Sequence, residues 1–302
     1  ALAIALNRHA RLSPGAVTKV VLSIPMDVRS DVRLLSEWFN ASRGNDTKSI
    51  STADIEGQFK IIDSTLKSGI HISLAGSDNY PDYLLKIADA PPVLYIKGNI
   101  SIFRSGPGVA IVGTRKASEN GIIIARRIAT YFAERNWTIV SGLALGIDAS
   151  AHRGALDAKG MTIAVLAHGL KSATPRTNAH LAAEILENNG AWVSEYPIDI
   201  LPRPEQFIHR NRIQIGLSAG SIIVEGEERS GTMTQAEFCL QNKRKLFAVL
   251  PESAEKLKLV SIGPSILINK RGATIIRSKD DYDPAISVLQ DVKASLSQQA
   301  NS

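Results

Sequence analysis

Cysteine is almost missing from this sequence: Cys239 is the only one in 302 residues. No intrachain disulfide can form, and a reducing cytoplasm is the expected setting. Long apolar runs are missing too. Hydrophobic residues make up 44% of the chain, but they come in short runs broken by charges, none near the ~18 residues a membrane helix needs. No membrane association is expected. The opening stretch "ALAIALNRHARLSPGAV" has a short apolar part and no basic leader, so it is not read as a signal peptide. Internal repeats and low-complexity segments are absent. So are the two common nucleotide fingerprints, G-x-G-x-x-G with a later acidic residue and G-x-x-x-x-G-K-[ST]. That argues against the usual dinucleotide and triphosphate ligands, and no cofactor is expected.

What is present is a modest excess of positive charge, +6 over the chain, which permits a polyanionic partner without requiring one. The placement of the cations has to decide. Residues 1–70 read as mostly helical and polar. "DAPPVLYIKGN" then gives a proline-stiffened entry into a strand, so a domain boundary is expected within residues 70–105. From Gly108 the pattern changes. "VAIVG", "TIVSG", "MTIAVLA", "AWVSE", "SIIVEG" and "KLFAVL" are apolar strands, alternating with helical stretches such as "IIIARRIATYFAERN". Continuous apolar strands with helical crossovers predict a doubly wound, extended Rossmann-like α/β domain with a parallel sheet covered on both faces. One further helix is expected in the tail, over "DPAISVLQDVKASLSQ".

Ligands of such sheets bind beyond the carboxyl ends of the strands, and cations recur there. After "AIVG" come Gly113, Thr114, Arg115, Lys116 and Ser118. After "TIVS" comes Gly142, and "AVLAHGL" leads to Lys171 and Arg176. Beyond "WVSEY" a long loop is expected to end in "FIHRNR", with Arg210, Asn211 and Arg212. After "IIVEG" stand Arg229, Ser230, Gly231 and Thr232. Gly113, Gly142 and Gly231 let backbone N–H groups approach a ligand. Ser230-Gly231-Thr232 is expected to open a helix, where unpaired N–H groups favour an anion; an ordinary N-cap explains the same hydroxyls. The set reads as an anion pocket for a phosphodiester or a monophosphate.

Other constellations read more plainly. Asp148 and His152 are four apart, but no third metal ligand is evident, and structural hydrogen bonding is favoured over catalysis. Glu195 and Glu225 end neighbouring strands. Salt bridges to Arg210 or Arg212 are favoured over a hydrolytic carboxylate pair. Cys239 is expected in the core. Leu143, Tyr196 and Phe207 are candidate stacking platforms, each with core packing as the plainer alternative.

Five motifs, "IVGTRKASENG", "IVSGLALGIDASAHRGAL", "AWVSEYP", "FIHRNRIQIGLS" and "EERSGTMTQAEFCL", come in an order that resembles the DNA-processing protein A (DprA, or Smf) family. "GSDNYPDYLLKIADAPPVLYIKGN" resembles the segment that precedes its Rossmann-like domain, and residues 1–70 resemble its SAM-like N-terminal domain. The division implied is 1–70 and 71–302. The resemblance implies a cytoplasmic homodimer that binds single-stranded DNA and loads the RecA recombinase in natural transformation, without turnover. It implies DNA-binding roles for Gly113, Thr114, Arg115 and Ser118, for Arg210, Asn211 and Arg212, and for Arg229 through Thr232.

Departures are Thr174-Pro175 where the family usually has Y-P, and Pro251-Glu252 where it has P-G. No winged-helix segment is expected in the tail. Two other readings remain: a phosphoribohydrolase acting on nucleotides, and a nucleotide-sensing module. The first is disfavoured because Gln235 stands where such hydrolases carry a glutamate.

Overall fold

The structure is a computed structural model and describes residues 1–10 and 12–298. The chain opens with five helices: α1 (Leu2–His9), α2 (Pro14–Ser23), α3 (Val32–Ser42), α4 (Thr52–Glu56) and α5 (Phe59–Lys67). Their ends are set by local chemistry. Asp31 accepts from the N–H groups of Arg33 and Leu34 at the start of α3. Ser51 and Asp54 form a reciprocal capping box at α4, satisfying donors that the first helical turn leaves unpaired.

The sheet begins at β1 (Ile70–Leu74) and β2 (Val93–Gly98), then β3 (Gly108–Val112). Next come α6 (Glu119–Ala133), β4 (Ile139–Ser141), α7 (Ile147–Asp157), β5 (Thr162–Val165), α8 (Ala179–Glu187) and β6 (Ala191–Ser194). The remainder is α9 (Pro204–Gly216), β7 (Ser218–Ile223), α10 (Gly231–Gln241), β8 (Lys245–Val249), α11 (Ile262–Arg271), β9 (Thr274–Ile276) and α12 (Tyr282–Gln298).

Among the described residues, nine strands lie in the order β1-β2-β6-β5-β4-β3-β7-β8-β9. All pairings from β6 to β9 are parallel, as the apolar runs predict. β1 and β2 extend the sheet with two antiparallel pairings, which the sequence reading did not place in the sheet.

Alternation along the strands feeds both faces. Ile222 of β7 joins Val109 and Ile111 in a cluster with α6, α7 and α12. Its neighbour Ile223 joins Val112, Ala236, Cys239 and Leu267 in a cluster with α10 and α11. Cys239 is therefore core, and burial pushes its thiol up to about 12. The third cluster runs without interruption from Leu6, Val17 and Phe39 of the opening helices to Leu94, Val165 and Val193 of the sheet. The helical segment thus shares its core with the strands. Polar contacts add to this: Gly15 N–H donates to Asp89 (2.6 Å), Thr18 Oγ1 to the Ala90 carbonyl (2.7 Å), and Arg8 pairs with Asp199 at 3.2 Å.

One expectation is corrected here. The R-N-R residues do not close a loop; they lie within α9, a 13-residue helix with Pro204 at its first turn, where the ring's fixed φ and missing N–H suit a helix start. Polar α9 is largely buried because it crosses back over the sheet between β6 and β7.

Candidate nucleic-acid interface

After β3 the chain builds β4, β5 and β6 on one side, then returns through α9 to place β7 on the other side of β3. Loops leaving β3 and β7 diverge at this reversal and leave a crevice between them. A cleft of about 880 Å³ occupies it, with five cations, Arg115, Lys116, Arg203, Arg210 and Arg229, and one carboxylate, Asp148, among its lining residues.

The loop after β3 is held from below. A Cβ on Gly113 would run into Ile147 and the Glu225 carbonyl, so only glycine fits. Thr114 N–H donates to that same carbonyl (2.9 Å), and Thr114 Oγ1 accepts from Lys116 N–H (3.2 Å). The turn leaves Arg115 and Lys116 exposed. Arg115 lies over the Phe207 ring, 5.3 Å from its centroid.

Ser118 does not line the cleft. It caps α6 by accepting from Gly121 N–H (2.9 Å), while its own N–H and hydroxyl donate to Glu225 at 3.0 and 2.7 Å. Glu225 also accepts from Val260 N–H (2.8 Å). This buried carboxylate is matched by hydrogen-bond donors, and the expected salt bridge to Arg210 or Arg212 is not made.

Helical phase divides the R-N-R residues. Phe207, Arg210, Asn211 and Gln214 stand at i, i+3, i+4 and i+7, a single stripe of α9, and all four line the cleft. Arg212 falls on the opposite side. There it binds Glu195 at 2.6 Å and Asp89 at 3.1 Å with its side chain 4% exposed. Burial alone would lower its pKa, but the two carboxylates outweigh it and raise it. The Glu195 pairing agrees with the sequence reading; the placement of Arg212 in the cleft does not hold.

Arg210 is buried beneath Gly142, where a Cβ would meet its guanidinium, and it donates to the Val165 carbonyl. Burial brings its pKa down to about 10, with Asp148 opposing and Arg115 reinforcing the shift. Gly142 acts by making room for Arg210 and, like Lys171 and Arg176, does not line the cleft. Asp148 accepts from Gly142 N–H (3.1 Å); burial raises its pKa against the pull of Arg210. His152 pairs instead with Thr162 (2.7 Å), and burial takes its pKa down to about 3. Each residue makes a structural hydrogen bond, to a partner other than the one four residues away. Among the described residues no group of three His, Cys, Asp or Glu could hold a metal ion.

The opposite wall is the start of α10. Ser230 is its N-cap residue, but its hydroxyl donates to the Glu227 carbonyl (2.9 Å) and accepts nothing from the helix. Gly231 faces open space, with no atom within 4 Å of a Cβ built there. Asn211 reaches across to the Gly231 carbonyl (3.3 Å). At the floor, Gln214 and Gln235 are each 1% exposed; Gln235 has no partner for either amide atom and Gln214 none for its oxygen. Arg203 and Gln214 escaped the sequence reading. Their only signals were a cation before the helix-starting proline and the i+4 spacing from Arg210. Of the stacking candidates, Phe207 lines the cleft, Leu143 is core, and Tyr196 lines a different cavity.

The family described as "DNA recombination-mediator protein A" matches residues 71–286. Protein Smf of Escherichia coli is 41% identical over 70% of this chain, and the match spans 55% of that protein's length. DNA processing protein DprA of Bacillus subtilis is 35% identical over 68% of this chain and 70% of its own. Among solved structures, DprA from Streptococcus pneumoniae superposes with a TM-score of 0.73 at 29% identity, covering 92% of this chain and 94% of the other. DNA processing protein A from Helicobacter pylori, solved to show its single-stranded DNA binding mode, gives a TM-score of 0.64 at 29% identity, over 73% of this chain and 98% of that one. With the family match covering most of the chain and the same fold found at this identity, the chain belongs to the DNA recombination-mediator protein A family, DprA/Smf.

Proposed function

We propose that the cleft between the β3 and β7 loops binds single-stranded DNA and that the protein works as a recombination mediator without turnover. One observation carries this: five cations and one carboxylate line a cleft whose rim holds Arg115 over the Phe207 ring. Cations follow the phosphates, an aromatic face accepts a base, and that pairing is what sequence-tolerant single-strand binding requires. The N–H groups opening α10 favour an anion on the same wall. A cleft of about 880 Å³ admits a strand that can bend its backbone inward, while a stacked duplex keeps its base faces closed to Phe207.

Arg115, Lys116, Arg203 and Arg229 are the phosphate contacts in this reading. Arg210 supplies charge from beneath, and Gly113, Thr114, Asn211, Gly231 and Thr232 shape the walls. Hydrolysis is disfavoured because the lone carboxylate of the cleft, Asp148, is engaged by Gly142 N–H and Gln235 stands where an acid would act. Membership of the family supports the wider role: a cytoplasmic homodimer that delivers the strand to the RecA recombinase during DNA uptake.

Fluorescence anisotropy with a short oligothymidylate, its duplex and nucleoside monophosphates at two salt concentrations tests this. The expected order is single strand over duplex over monophosphate, with affinity falling as salt rises. Equal or tighter binding of a monophosphate, or release of free base from it, would replace the reading with a nucleotide sensor or a hydrolase.

A further inference from the structure

The carboxyl rim of the sheet carries a second charged groove, beyond the DNA cleft. It holds about 240 Å³ between α6, the loop after β8 and the loop after β9. Ile123, Ile124, Val249, Leu257 and Ile276 supply apolar walls. Arg127, Arg277 and Lys279 supply the charge, and among the described residues no carboxylate lines the groove. All three cations are exposed, so a ligand in the groove can reach them. Asn120 donates to the Leu257 carbonyl (3.0 Å) and ties α6 to the loop that forms the opposite wall.

The charge here is not matched from within. Among the described residues, Arg127 and Arg277 have no ion pair and no side-chain hydrogen bond, and Lys279 meets only the Tyr131 ring, 5.5 Å from its centroid. The acidic groups of the neighbouring segment are engaged elsewhere. Asp281 accepts from the N–H groups of Arg277 and Ser278 at 2.7 and 3.0 Å, Asp280 from the Ser278 hydroxyl at 3.2 Å, and Asp283 pairs with Arg135 at 3.4 Å. Helix α12 leaves the groove at Tyr282 and carries the chain to the other end of the sheet, where Lys293 packs against Gly106 just before β3. Three like charges between apolar walls focus a positive field that draws in an anion.

Position selects the anion. In the sheet order β9 stands three places from β3, roughly 14 Å at the usual strand spacing, and both loops leave the same end of the sheet. Helix α6, which begins just after Arg115 and Lys116 at the mouth of the DNA cleft, runs directly to Arg127. Farther along α6 a wider hollow shares Ile123, Arg127 and Lys279 with the groove, but Glu134 and Asp157 line it as well. There Arg126 is paired with Asp157. The unmatched charge is therefore confined to the rim, which suits a single narrow chain of phosphates and offers little to a broad acidic protein face.

We propose that this groove is a second phosphodiester subsite, which takes the backbone of a single strand after it leaves the cleft between the β3 and β7 loops. Arg127, Arg277 and Lys279 each neutralise a phosphate there, and the strand passes the start of α6 on its way. The inference rests on the single-strand reading of the cleft, but it shares no lining residue with that cleft, so the two are separable by substitution. It makes the length of the strand, as well as its charge, a determinant of affinity.

Anisotropy of the whole chain with oligothymidylates of about 4 to 16 nucleotides, each across a salt series, tests it. The double variant Arg127→Ala with Arg277→Ala should bind the longest strand roughly tenfold more weakly at 0.1 M salt, with the slope reduced by about 1.4. The shortest strand, held in the cleft alone, should bind it as it binds the unaltered chain. Arg115→Ala should weaken binding at every length. Lys60→Ala with Lys67→Ala removes the same charge from α5, beside the opposite edge of the sheet, and should change neither slope. Thermal melts check that each variant is folded. Hydrogen exchange gives the location without mutation: the 16-nucleotide strand, and not the 4-nucleotide one, should protect residues 277–281. An unaltered slope for the longest strand in the Arg127/Arg277 variant overturns the proposal, and so does an equal loss at every length or in the α5 control, which would mean a general effect of net charge. Failure of the unaltered chain to bind any strand would remove the cleft reading and this subsite together.

Discussion

The Arg115 guanidinium stands 5.3 Å from the centroid of the Phe207 ring, joining the loop after β3 to the stripe of α9 that faces the cleft. The two side chains offer different contacts to a nucleic acid, and substitution separates them. Arg115→Ala is expected to weaken single-strand binding and to lessen the salt dependence by about 0.7 in slope, because one phosphate fewer is neutralised. Phe207→Leu should cost about 1–3 kcal/mol of binding and leave the slope alone. Anisotropy across a salt series reads both. An unchanged slope in Arg115→Ala would remove Arg115 from the phosphate path.

Arg212→Ala has a different expected outcome. Its loss leaves Glu195 buried without its cation, a change that costs about 3–5 kcal/mol of stability. The salt slope of DNA binding should stay that of the unaltered chain, because Arg212 lies across α9 from the cleft. Denaturant unfolding beside anisotropy on the folded fraction checks the split. A reduced slope would return Arg212 to the interface.

His152 makes stability depend on pH. Its folded pKa, about 3, lies below the ordinary 6.5 because burial disfavours the charged ring. Between these values the unfolded chain binds the proton and the folded chain does not, so stability falls as pH drops from 6.5 toward 3. Each pH unit in that window costs up to about 1.4 kcal/mol from this group. His152→Asn should flatten that part of the curve, measured by chemical denaturation from pH 7 to about 4.5. An identical acid limb in the variant would contradict the assignment.

Glu225→Ala removes the acceptor for Ser118 N–H, Ser118 Oγ and Val260 N–H. Unfolding should become easier by about 1–3 kcal/mol, the cost of buried donors left unpaired. Because Ser118 anchors the loop that carries Arg115 and Lys116, hydrogen exchange at residues 114–118 should quicken. Unaltered exchange there would show that Glu225 does not hold the loop.

Gln235→Glu would place a carboxylate at the floor of the cleft. Repulsion of phosphate should lower single-strand affinity at alkaline pH, where the buried carboxyl ionises, and affinity should recover as pH falls through its burial-raised pKa. Equal affinity across that range would mean the strand does not reach the floor.

Much of the cleft was legible in the sequence, for a reason that is local. Glycine and cations that follow an apolar strand belong to the carboxyl end of a parallel sheet, whatever the order of the strands. That logic located Gly113 through Lys116 and Arg229 through Thr232 on the cleft. It overreached for Lys171 and Arg176, because β5 is separated from β3 by β4, and neither side chain lines the cleft between the β3 and β7 loops. Ser118 and Gly142, which it also placed at the pocket, do not line the cleft; their residue types suit a ligand loop and a packing role equally well.

Read along the chain, the alternation of apolar strands with amphipathic helices was enough to specify the doubly wound sheet, since each period reports which face a residue must bury. Strand order, the phase of α9 and the antiparallel edge formed by β1 and β2 arise only when distant segments pack together. One residue's advance along a helix turns a side chain by about 100°. That rotation, invisible in the letters R-N-R, sends Arg210 under the cleft and Arg212 to a buried pairing with Glu195 and Asp89 on the other side of the same helix.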